Sequence, residues 1–482
     1  MYPKASAWIV LCLAAAGLFP AGSPAGAGGA DPALRCGTGL RFERAERFAP
    51  LRPAGRRGVA RQAVPVPVEG ATALVSGHFR VLWGDRFDAS DAHWSDGDGN
   101  GVPLWASALG QALESALALL RALGFPDPYG LEGYYLDAYV GNTGLRVGGT
   151  EVSIGSSYYA YTDVDPEHGA AYFVFGADYS AHAADELGVL RAAAVHELFH
   201  AVQRSWYPWD DTVRVPDSRW AREGWWFEAT ATWLEELFAP GVDDYVPFVR
   251  GFLAAPHLAL AHMDGRREYG AALFPGYLRL RWDGSGREGG IWTEVFAGAF
   301  AGGLEPALEA ALARRGSGLA EAVAEFWSLA AHPEDFWPGG DRYRSETAPR
   351  FLASVTGLPA EPGAAGALAP GRLGASLVRI RDMPADLTAD LRGASTASRW
   401  VLGVSGSGED RAETVDLGRG GETRLLRASG AGETFLAVVN ASAGEEAEAF
   451  RLELAGLASS PEEGRDPGAA GGGGCFLRAA GR

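Results

Sequence analysis

Lysine is nearly absent from this chain: Lys4 stands alone, and every other basic side chain is arginine. We read that as compositional bias without functional meaning. Basic charge as a whole is in deficit. Against 60 Asp and Glu there are 42 Lys and Arg, for a net charge of -18 and a pI near 5.0. No basic face is available for phosphates, which excludes a nucleic-acid partner. Cysteine is scarce too, limited to Cys12, Cys36 and Cys475. None of these forms a C-x-x-C pair, so neither a cysteine zinc site nor a thioredoxin-type motif is present. Long apolar runs are missing beyond Ala7 to Phe19, and that run is too short to span a bilayer as a helix. No transmembrane segment is expected in the mature chain.

What is present is enough apolar material, 47% hydrophobic and 11% aromatic over 482 residues, for two or three packed domains. Residues 1–30 read as a signal peptide: Lys4 gives the positive start, the apolar run follows, and Ala25-Gly26-Ala27 is the small-residue cleavage site. The chain is therefore expected to be exported, secreted or held at the cell surface. Cys12 leaves with the signal. Cys36 and Cys475 remain, and pairing them requires the termini to meet; two separate thiols are the equal alternative. Residues 31–75, rich in Arg, Pro and Ala, read as an extended leader or linker, with a propeptide as the second reading.

Histidine is rare, at 9 residues, and two of them fall in Ala194-Val195-His196-Glu197-Leu198-Phe199-His200-Ala201-Val202-Gln203. The pattern is H-E-x-x-H. On a helix, residues four apart share a face, so both imidazoles can aim at one ion. Zinc suits neutral imidazole and carboxylate ligands in tetrahedral geometry, and it lowers the pKa of a bound water to about 7. Glu197 lies beside the pair as the general base for that water.

Two histidines leave such a site short of a ligand. Downstream, Glu223 and Glu228 are five apart, about 140° around a helix, so one helix cannot aim both at the same ion. Glu228 is preferred, because Ala229 and Ala231 after it are small and let its helix approach the first closely. Glu223 precedes a glycine and reads as a helix start.

H-E-L-F-H followed by E-A-T-A-T-W-L-E-E resembles the gluzincin metallopeptidases. The resemblance implies a third-ligand glutamate on the next helix and a further acid seven residues on; Glu228 and Glu235 fit that register. The chain is also similar to a group of bacterial exported metalloproteases. It shares with them Asp96 to Pro103, the H-E-x-x-H-A-V-Q run and Tyr269-Gly270-Ala271-Ala272-Leu273-Phe274, over roughly residues 78–335. It departs from them at Ala229, where glycine is usual, and at Thr232, where some gluzincins carry an acid that holds the first histidine. The resemblance implies an oxyanion donor outside the motif, for which Tyr269 is the first candidate and Tyr207 and His262 the others. It also implies peptide or protein substrates, drawn along an edge strand for which Ala171–Phe175 is the candidate.

Asp96, Asp98 and Asn100, with Gly101, match the first half of a calcium loop, but Leu104 and Ser107 stand where later ligands belong. Turn and helix cap is the preferred reading, calcium the second.

The expected fold class is α+β. A zincin-like metallopeptidase domain, with a mixed sheet, an active-site helix and a helical subdomain, spans 76–358. A linker at 359–374, a small β-sandwich at 375–457 and a Gly-rich disordered tail at 458–482 follow. The function expected is a zinc-dependent peptidase. The alternatives are a catalytically silent zinc-binding descendant, or a cell-surface binding protein that works through its sandwich.

Overall fold

The computed structural model describes Cys36 and residues 61–456, apart from 89, 166–167, 181–184, 207–216, 284–289, 357, 382–385, 394, 421–422, 428–431 and 445. The expected signal peptide, the tail over 458–482 and Cys475 lie outside the described residues, as does Tyr207. The class is α+β.

The first part holds β1 (Val68–Glu69), β2 (Thr72–Ser76), β3 (Phe79–Trp83), α1 (Leu104–Ala122), β4 (Leu136–Val140), β5 (Arg146–Val147), β6 (Thr150–Glu151), β7 (Ala160–Asp165) and β8 (Ala170–Phe175). Two long helices follow, α2 (Glu186–Trp206) and α3 (Asp217–Phe238). The main sheet runs β2-β3-β4-β8-β7. Its three inner strands are parallel, and β2 and β7 are antiparallel edges. Inner strands read as apolar because both faces are covered, and β4 is buried at every position. The edge strand expected at Ala171–Phe175 is an inner strand, β8. The edge is β7, whose sequence Ala160-Tyr161-Thr162-Asp163-Val164-Asp165 lacks the apolar run that marks a strand, because it is half-buried along most of its length.

Order also starts earlier than the expected boundary at 76. Gln62 bridges Tyr134, Val64 is buried in the main core, and β1 pairs with β5 over the outer face of the sheet. Val64, Val66 and Val68 alternate with period two, a strand-like pattern that the interleaved prolines obscure.

Past α3 come α4 (Val246–Ala254), α5 (Arg267–Gly270), α6 (Leu273–Trp282), α7 (Ile291–Gly302), α8 (Leu304–Ala313) and α9 (Leu319–Ala330). Gly276 is where α6 meets α3, since a β-carbon there would come within 2.6 Å of the Trp233 ring.

The final strands are β9 (Ala353–Val355), β10 (Gly363–Ala364), β11 (Ala375–Ile380), β12 (Asp386–Gly393), β13 (Arg399–Gly406), β14 (Glu413–Arg419), β15 (Thr423–Arg427), β16 (Thr434–Asn440) and β17 (Phe450–Gly456). They form two sheets, β10-β17-β12-β15 and β14-β13-β16-β11-β9. Val378, Trp400, Leu402, Leu436 and Val438 face the partner sheet. The residues between them, Leu377, Val401, Phe435, Ala437 and Val439, join the core of the preceding part. The five-stranded sheet is thus buried on both faces, one of them against α9.

The segment expected as a linker, 359–374, runs alongside these sheets. The segment is pinned at several points. Within it β10 pairs with β17, the Leu373 amide donates to Asn440 O, and the Trp327 indole donates to Leu373 O at 3.0 Å. Its Pro and Gly content reflects tight passage across a packed surface. Gly403 of β13 is required there, because a β-carbon would run into the Ala324 carbonyl of α9.

Gly403→Ala should therefore destabilise the whole chain by about 1–3 kcal/mol, the usual range for overpacking. Gly251→Ala, in α4 with open space around it, should be neutral or stabilising by up to about 1 kcal/mol. Urea unfolding checks both; equal midpoints for the two variants would contradict this packing.

Candidate metal centre

Helix α2 carries His196, Glu197 and His200, and α3 carries Glu228 and Glu235. The two helices pack against each other, and Ala194, Ala201, Ala229 and Ala231 on them are fully buried. The geometry brings His196 Nε2 to 3.1 Å from His200 Nε2 and to 3.1 Å from Glu228 Oε2. His200 Nε2 lies 3.5 Å from the same carboxylate oxygen.

The far side of each ring is committed. His196 Nδ1 is 2.7 Å from Glu235 Oε1, and a carboxylate there requires the nitrogen to donate. His200 Nδ1 is 2.8 Å from Gln203 Oε1. The Gln203 amide is oriented by its own Nε2, which donates to Phe227 O at 3.1 Å and to Thr230 Oγ1 at 3.2 Å. Its oxygen must therefore accept from His200. On this network both imidazoles carry hydrogen on Nδ1 and aim the Nε2 lone pair at one point.

A fourth atom arrives from the far N-terminal side. Cys36 Sγ is 3.5 Å from His200 Nε2. The ligand atoms of Cys36, His196, His200 and Glu228 all lie within 4.8 Å of one another, and all four residues are buried. Two nitrogen lone pairs, a carboxylate oxygen and a sulfur facing each other out of contact with water require a cation or a shared proton. The donor set of imidazole, carboxylate and thiolate is one that zinc accepts, and the group as it stands could hold a metal ion. A proton on His196 can do that work as well. Burial opposes it, but the hydrogen bonds His196 gives to Glu228 and Glu235 outweigh burial and push it up to about 10. Burial likewise opposes the Glu228 charge, yet the facing histidines hold its carboxyl down at about 2.

Around this group, Glu197 is buried, and the Thr162 hydroxyl of β7 lies 2.6 Å from its Oε2 and 2.7 Å from its backbone oxygen. The Tyr269 ring lies 6.3 Å from that of His196, tilted by 34° to it. Burial, reinforced by the Glu228 charge, raises the Tyr269 hydroxyl well above its ordinary value, so it stays a neutral donor. It donates to the Cys36 carbonyl at 3.3 Å.

Other expected residues fall elsewhere. Glu223 lies inside α3 rather than at a helix start, and its Oε1 accepts the Leu304 amide that opens α8. Thr232 finds no hydrogen-bond partner among the described residues, and Glu235 holds the first histidine in its place. His262 donates its amide to Ala259 O in a turn. The exposed loop of Asp96, Asp98 and Asn100 closes on itself: Asp96 accepts from the amides of Asn100 and Gly101, and Asn100 Oδ1 accepts from Val102. Those bonds match the turn reading. Sequence reasoning overlooked Gln203, Thr162 and Cys36. Gln203, three residues after His200, had a usable signal in its helical spacing.

No family model matches the chain, and no curated protein matches it. Among solved structures, one match is the pre-peptidase C-terminal domain of collagenase from Bacillus anthracis, at 10% identity. It covers 22% of this chain and 95% of that one, with a TM-score of 0.17. Another is a 4-O-methyl-alpha-glucuronidase of family GH115 with specificity for decorated arabinogalactans, at 11% identity. It covers 56% of this chain and 39% of that one, with a TM-score of 0.16.

Two outcomes test the centre. Glu228→Ala should abolish stoichiometric zinc retention while Glu223→Ala leaves it intact, and Glu235→Gln should weaken zinc by about 10–100-fold, as lost outer partners do; metal analysis after dialysis reads all three, and equal losses at 223 and 228 would refute the assignment. A metal ion held here must also displace a proton from His196, which its hydrogen bonds to Glu228 and Glu235 push up to about 10. Competition strengthens as pH falls, so zinc affinity should rise steadily from about pH 7 to 9; a flat profile would contradict it.

Proposed function

We propose that this chain is an exported, zinc-dependent peptidase of gluzincin type on a zincin-like scaffold. The observation that carries the reading is the convergence of His196, His200 and Glu228, backed by Glu235 and Gln203, with Glu197 and Tyr269 alongside.

His196, His200 and Glu228 would hold the ion through Nε2, Nε2 and a carboxylate oxygen. Zinc, when bound, supplies Lewis acidity toward water and a peptide carbonyl. The remaining work falls to side chains. Thr162 fixes the rotation of the Glu197 carboxylate through Oε2, so that it can take a proton from water and return it to the leaving amine. Tyr269, neutral and buried, donates its hydroxyl hydrogen toward charge developing on the carbonyl oxygen. The edge strand β7 presents main-chain groups to an extended peptide, which places substrate beside Thr162 and Glu197. Burial of the group strengthens each of these interactions by excluding water.

The test is Glu197→Gln, which keeps shape and a hydrogen bond but cannot take a proton. Zinc content and thermal stability should match wild type, while hydrolysis of a peptide library falls by about 10²–10⁴-fold. A variant as active as wild type would overturn the role of Glu197.

A further inference from the structure

Cys36 lies 164 residues before His200 in sequence, in the leader, yet its sulfur is among the four convergent ligand atoms. Its placement is held at three independent points. The backbone of Cys36 bridges Ala160, the first residue of β7, in parallel sense. Its carbonyl accepts the Tyr269 hydroxyl. Its side chain packs with Phe248 and Tyr269 in a small buried cluster.

Each of those points coincides with something a substrate would need. The bridge sits on the edge strand, where an extended peptide would pair. The carbonyl occupies the hydrogen bond that Tyr269 would give a scissile carbonyl. The sulfur stands where a fourth ligand belongs. Catalytic zinc sites keep that fourth position open for water or substrate, whereas four protein ligands make a closed site.

We infer that Cys36 is the fourth ligand of the centre and that the leader, through it, holds the peptidase latent by standing in the substrate's place. The inference rests on the peptidase reading for its consequence, latency, but the ligand itself can be tested without turnover. Relief is the removal of Cys36 from the cleft. The simplest route is hydrolysis of a main-chain bond between Cys36 and Arg61 by a processing peptidase. The C–N bond breaks, water supplies hydroxyl to the carbonyl carbon and hydrogen to the amine, and the freed segment leaves the fourth position open.

The experiment uses the full exported chain, its Cys36→Ser and Cys36→Ala variants, and His200→Ala as the metal-site control. With cobalt(II) in place of zinc, wild type should show an ultraviolet thiolate-to-cobalt charge-transfer band that both Cys36 variants lack while still binding cobalt. Alkylation mapped to Cys36 by mass spectrometry should be slowed by zinc in wild type and unaffected by zinc in His200→Ala, because a coordinated thiolate is withheld as a nucleophile. Peptide hydrolysis by the zinc-loaded Cys36 variants should exceed wild type by about tenfold or more, as expected when a closed state holds most of the population. Absence of the band with cobalt bound, or alkylation of Cys36 indifferent to zinc, would overturn the ligand. A band with equal hydrolysis rates in wild type and variants would overturn the latency. A band with no hydrolysis by any of them would confirm the ligand and refute the peptidase reading instead.

Discussion

The structure turns on a conflict between acceptors. Two imidazoles are locked by Glu235 and Gln203 into presenting bare Nε2 atoms to each other and to a Glu228 oxygen, only 3.1 Å from His196 Nε2. Buried acceptors in that arrangement repel unless something positive lies between them. A proton on His196 is the weaker answer to that demand, and a divalent cation the stronger one. Everything nearby serves to keep the conflict in place. Gln203 is clamped by Phe227 and Thr230 of α3.

The wider fold fixes that pair of helices. Inner strands β3, β4 and β8 carry the main sheet beneath α1 and α2, and β7 brings Thr162 to Glu197 from the edge of the sheet. On the far side, the terminal sheets are part of the same packed unit rather than a tethered accessory. Alternate residues of β11, β13 and β16 fill two different cores, one shared between the sheets and one shared with α9. A strand buried on both faces reads as continuously apolar, and β16 is buried at all its positions.

This explains what the chain disclosed before its structure was known. H-E-x-x-H was legible because helical spacing alone puts His196 and His200 on one face; Glu228 was preferred for the small residues after it, and Glu235 came only through the gluzincin resemblance. The apolar runs within His78–Trp83, Tyr134–Val140 and Trp400–Val404 are strand signals in the sequence itself, and strands stand there. Edge strands lack such runs: β7 and β14 carry acids at half-buried positions, where a side chain need not be apolar to be ordered. The Pro- and Gly-rich stretch at 359–374 carries a short paired strand, since both residues serve tight turns as readily as freedom. Cys36 was illegible for a different reason. Its role exists only through contacts with residues more than a hundred positions away, and a single cysteine in an Arg- and Pro-rich stretch has no local pattern to betray it.

The most direct test of the centre is X-ray absorption at the zinc edge on the zinc-loaded, full exported chain. The account predicts the outer-shell scattering of two imidazoles, nitrogen and oxygen neighbours at about 2.0–2.2 Å, and one sulfur at about 2.3 Å. A first shell of oxygen alone, without imidazole scattering, would contradict it.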